Sequence, residues 1–123
     1  MPEYAVLIYE QGDPDWSVLD TPDKQAVMGE YGAFSAAAAA VMRGGAALYP
    51  TTTATVVQVR GGPRGETVTS DGPFAETKEV LTGFYHLECA DLDEAVGWAA
   101  RIPAARTGKV EVRPVIPFGA GAS

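Results

Sequence analysis

The residues best equipped for chemistry lie in two stretches, Asp71-Gly72-Pro73-Phe74-Ala75-Glu76-Thr77-Lys78-Glu79 and Phe84-Tyr85-His86-Leu87-Glu88. His86 is the only histidine of the chain. An imidazole titrates near neutral pH, so one held beside a carboxylate can serve as a general base. In an extended strand Phe84, His86 and Glu88 share one side, while Tyr85, Leu87 and Cys89 share the other. Near the C-terminus Glu111 and Arg113 alternate in the same way with Val110 and Val112. Glu88 lies two residues from His86 on the same side, and if these segments are neighbouring strands, cross-strand pairing brings Glu111 or Arg113 towards His86. His86 is therefore the candidate catalytic residue, weighed against a structural or interface role.

Asp71-Gly72-Pro73-Phe74 reads first as a turn. The Asp carboxylate can fold onto backbone N–H groups, glycine tolerates positive φ and proline fixes φ. Asp71 would then shape the mouth of a site, and Phe74 would anchor the loop. Glu76, Lys78 and Glu79 form a charged strip, with Lys78 between two acids, that serves either a ligand or plain solvation. Arg60 and Arg113 are the cations placed to meet an anionic or carbonyl group. The ligand-binding candidates are thus Asp71, Phe74, Glu76, Lys78, Arg60, Glu88, Glu111 and Arg113. One histidine and one cysteine argue against a protein-only metal centre, which needs three or four ligands. No cofactor motif is evident: Gly61-Gly62-Pro63-Arg64-Gly65 has no Lys-Ser/Thr after it and opens no helix. No nucleophile elbow appears.

The elements that must position these groups follow from periodicity. Tyr4 to Glu10 is an apolar run of strand type. Thr21-Pro22-Asp23 supplies an N-cap, a proline at the first helical position and an acid in the first turn, predicting a helix from Pro22 to about Met42. Gly44-Gly45 would end it, and Gly29 and Gly32 would mark close approach to a sheet. Thr53 to Arg60 is rich in β-branched residues and predicts the second strand, with Glu66 to Thr69 as a short antiparallel partner. Leu81 to Ala90 predicts the third main strand. Asp91 caps a second helix with Leu92, Ala95, Val96, Ala99 and Ile102 on its buried side, stopped by Pro103. Lys109 to Ile116 is the last strand. The order β-α-β-β-α-β fits an α+β, ferredoxin-like sandwich: an antiparallel sheet with both helices on one face, as a single domain over residues 1–118 with a tail at 119–123.

The 123 residues allow one core and one domain. Nine basic and sixteen acidic residues give a net charge of −7, which repels phosphate backbones and anionic membrane surfaces. No apolar run approaches the ~20 residues of a membrane span. The N-terminal Met-Pro-Glu-Tyr lacks a basic signal region, so a cytoplasmic location is expected. Two helices cover one face of a four-stranded sheet. The other face, which carries Phe84 and Val56 among charges, calls for a partner, and a homodimer pairing its sheets around a polar-lined cleft would supply one.

The run from Asp71 to Glu79, then Gly83-Phe84-Tyr85 and Glu88, resembles the signature of DGPF proteins, a branch of the YCII-related family. The helix Asp91-Leu92-Asp93-Glu94-Ala95, Trp98 to Pro103 and the segment Gly108 to Pro114 are similar to the same family. The resemblance implies a ferredoxin-like fold pairing through its sheets as a dimeric α/β barrel. It also implies, for enzymes of this type, a His–Asp pair with the His on the first helix and the Asp just before the proline ending the second. Here Glu30 to Phe34 contains no histidine, and Ile102 precedes Pro103. That chemistry is not carried over.

The expected function is a homodimer that binds a small molecule in the cleft between its sheets, with His86 as a proton-transfer group. The alternative is a regulatory module that contacts an extracytoplasmic-function sigma factor through Glu76 to Glu79 and the first helix. A cofactor-free oxygenase of the dimeric α/β-barrel kind is a third reading, resting on fold analogy.

Overall fold

Strand β1 (Glu3–Gln11) alternates strictly: Tyr4, Val6, Ile8 and Glu10 are buried, and the residues between them are partly open. That pattern belongs to a central strand with one side in a core. In the computed structural model, which describes residues 1–72 and 78–118, β1 is followed by α1 (Pro22–Ala37), β2 (Met42–Ala47) and a single 3-10 turn at Thr51–Thr53. Then come β3 (Thr55–Arg60), β4 (Glu66–Asp71), β5 (Glu79–Glu88), α2 (Leu92–Ala99), α3 (Ala104–Thr107) and β6 (Lys109–Pro114). The main sheet has the order β2-β5-β1-β6, with every pairing antiparallel. This is the ferredoxin-like arrangement, with β3 and β4 inserted as a separate two-stranded hairpin.

Both expected helix starts are present. Thr21 Oγ1 accepts from Lys24 N at 3.1 Å, with Pro22 in the first turn. Asp91 Oδ1 accepts from Glu94 N at 2.9 Å, while Glu94 Oε1 reaches back to Ala90 N at 2.6 Å. Helices cover one side of the sheet: Phe34, Ala38, Ala95, Ala99, Ile102 and Ala104 close over Tyr4, Val6, Ile8, Leu87 and Cys89. Phe34 stacks on Tyr85 at 5.1 Å between ring centroids and meets Trp98 edge-on at 6.3 Å.

The structure corrects the sequence reading in four places. Helix α1 ends at Ala37, and the segment expected to close it, Met42–Ala47, is the second strand of the sheet. Thr55–Arg60, the more strand-like sequence, pairs only with β4 and stays outside the main sheet, so Val56 does not join Phe84 on its face. A Cβ at Gly45 would lie 2.6 Å from Phe84 O, and one at Gly83 would lie 2.8 Å from Ala46 O. Those two glycines are what let β2 sit against β5. Gly29 and Gly32 have open space where a Cβ would go, so they mark no close approach. Helix α2 stops at Ala99, and Leu92 and Val96, expected to be buried, are each 49 % exposed. Ala95, Ala99 and Ile102 carry the contact instead.

Candidate functional site

Register determines which side chains meet on the side of the sheet without helices. Ala5 lies opposite both His86 and Arg113, and Leu7 opposite both Phe84 and Glu111. Directly paired residues point the same way, so Glu3, Ala5, Leu7 and Tyr9 share this face with Phe84, His86, Glu88, Glu111 and Arg113. The alternation expected for β5 and β6 therefore holds. Phe84 is 37 % exposed.

The carboxylate beside His86 is Glu3. Its Oε1 lies 2.9 Å from His86 Nε2 across a diagonal of the β1–β5 pair. The oxygen sits off the direction of a ring N–H, so the contact is not an aligned hydrogen bond; Nε2 is shielded from solvent and has no hydrogen-bond partner among the described residues. Glu88, the expected neighbour, turns to Arg43 at 3.6 Å from its Nε. Glu111 stands 3.9 Å from Arg113 Nε and hydrogen-bonds Tyr9. Burial, then the charge and hydrogen bond of Glu111, raise the Tyr9 phenol, against a smaller opposing effect of Arg113. Lys109 Nζ closes the row on Glu79 Oε1 at 2.7 Å. The face is an apolar strip of Ala5, Leu7 and Phe84 bordered by opposed charges.

Glu3 lies one residue before the apolar run that marks the first strand in the sequence, which begins at Tyr4. Carrying the alternation one residue back places it with Ala5 and Leu7. Asp71 ends β4 and is exposed, and Gly72 adopts φ 84°, as a turn requires. Arg60 is exposed at the far end of the hairpin, opposite Glu66. The structure does not bring it to His86. Lys78 is exposed, and Phe74 and Glu76 lie outside the described residues. No cluster of three or more His, Cys, Asp and Glu fit for a metal occurs among the described residues. Cys89 is fully buried, and burial, followed by the charge of Glu94, raises its thiol above the ordinary range. That makes it a poor nucleophile. Among the described residues no helix is long and apolar enough to cross a membrane.

An imidazole and a carboxylate thus pair on the helix-free face of a ferredoxin-like sheet, with Arg113 two strands from His86 on the same face. The chain belongs to the YCII-related domain family, which matches residues 3–119. It is also 47 % identical over 78 residues to a protein of Rhizobium meliloti (strain 1021) described as "Uncharacterized protein R00369". That match covers 62 % of this chain and 60 % of the relative.

Proposed function

We propose that this protein is a DGPF-type member of the YCII-related family, acting in the cytoplasm as a homodimer that binds a small molecule between two apposed helix-free faces. The observation that supports this most is the Glu3–His86 pair, 2.9 Å apart, set beside a partly exposed strip of Leu7 and Phe84. Two copies of that strip would exclude water, and exclusion of water strengthens every charge interaction at the rim. Within such a cleft Arg113 meets a carbonyl or carboxylate of the ligand, and His86, backed by Glu3, takes or gives the proton.

Thermal-shift screening against a metabolite extract tests this, since a ligand of the native state raises apparent stability. A stabilising fraction is expected for the wild type and absent for His86→Ala, and absent also for Leu7→Glu, which sets a carboxylate opposite Glu111. Stabilisation that survives both substitutions would place the ligand elsewhere.

A further inference from the structure

The helix-covered side of the sheet holds a second space, which shares Phe84 but neither Ala5 nor Leu7 with the strip of the proposed dimer cleft. A cavity of about 430 Å³ opens between α1 and the edge strand β2. That is within the ~300–1,000 Å³ of small-molecule sites. Its floor is made of small residues, Gly44 to Ala47 with Gly83, which leave the room that larger side chains would fill. Met28, Tyr31 and Ser35 of α1 form the roof, and Trp16 closes one side.

Trp16 belongs to the loop between β1 and α1, yet it is held firmly. Its Nε1 donates to Glu10 Oε2 at 2.9 Å, and its ring meets Tyr31 edge-on with 6.3 Å between centroids. Glu10 is only 7 % exposed. Burying a carboxylate is costly, and here it fixes an indole as a wall. The same loop is tied to the 3-10 turn through Asp13, which accepts from Thr51 N at 2.9 Å and from Thr51 Oγ1 at 2.5 Å.

The lining carries no charge. Burial raises the phenols of Tyr31 and Tyr85, so both stay neutral, and the other lining residues are apolar, small or hydroxylic. Tyr85 and Ser35 share a hydrogen bond, a hydroxyl pair that can redirect to a guest. Met28 and Met42 adapt to its outline. An ionised guest would lose its hydration and find no opposite charge in the lining, since the Glu10 carboxylate, whose charge reaches Tyr31, is already engaged by the Trp16 indole. We infer that this cavity binds an uncharged, planar aromatic compound, stacked beside Trp16 and hydrogen-bonded to the Ser35–Tyr85 hydroxyls.

The test is calorimetric titration of the full chain with 2-naphthol, 2-naphthoate and 2-naphthylmethylammonium near pH 7. Binding of 2-naphthol is expected, with both ions weaker by about tenfold or more because their charge must be desolvated. Ala47→Trp, on the exposed β2 edge, should fill the cavity and abolish binding, with folding checked by circular dichroism. Ser35→Ala, which cannot disturb the fold through size, should weaken it by about threefold to tenfold. Leu7→Glu, on the opposite face, should leave it unchanged. No binding of 2-naphthol to wild type, equal binding of the ions, or full binding to folded Ala47→Trp would overturn the inference.

Discussion

On one side of β5, Tyr85 and Leu87 look into aromatic and aliphatic groups from α1 and α2; on the other, Phe84, His86 and Glu88 stand among Glu3, Arg43, Glu111 and Arg113. The covered side is closed by helices of the same chain, apart from the cavity beside Trp16. The open side has charges already opposed to one another and an apolar strip in which Phe84 is 37 % exposed. A single strand with period two thus serves a finished core and an unfinished surface. Stability should be concentrated on the first, and association and pairing chemistry on the second.

That contrast can be broken by substitution. Leu87, fully buried, should cost about 2–5 kcal/mol as Leu87→Ala in urea unfolding, through lost transfer and the cavity left behind. In the isolated monomer Phe84→Ala should cost clearly less. Equal losses there would mean that the two sides are not energetically distinct. Glu10→Ala leaves the Trp16 indole N–H without its acceptor and should cost about 1–3 kcal/mol, with a shift in tryptophan emission from the loosened wall.

Titration sharpens the same division. Burial raises the Tyr31 and Tyr85 phenols and the Cys89 thiol above their ordinary 10.0 and 9.0. A raised folded value means that the native state holds these protons more tightly than the unfolded chain. The stability they confer is complete below the ordinary values and is lost as pH rises through the folded ones. The melting temperature should therefore fall above about pH 9, less steeply in Tyr31→Phe. The smallest effect belongs to the open side. Glu3→Gln should change stability by about 0–1 kcal/mol, because both partners of the His86 pair are substantially exposed.

Much of this division was legible in the sequence, and the places where it was not have physical causes. Strict alternation along β1, β5 and β6, together with Thr21 and Asp91 as caps, specifies the central sheet and the helix starts. The face that carries His86, Glu111 and Arg113 follows directly. Met42–Ala47 has no β-branched residue and follows an alanine run of high helix propensity, so local preference points away from a strand. It becomes one because Gly45 and, on β5, Gly83 allow the two backbones to approach, a tertiary gain that no local pattern shows. Thr55–Arg60 has the better strand composition and ends in an exposed hairpin, with Val57 60 % and Val59 53 % exposed. Partners across the sheet are equally non-local. Which carboxylate meets His86 depends on register, and register turned Glu88 towards Arg43 and brought in Glu3.

The most direct measurement is the molar mass by light scattering at micromolar concentration, for wild type and Leu7→Glu. Pairing through the helix-free face requires twice the 12.9 kDa chain mass for wild type and a single chain mass for the variant. A wild-type mass of one chain, or a dimer untouched by a carboxylate at Leu7, would contradict it.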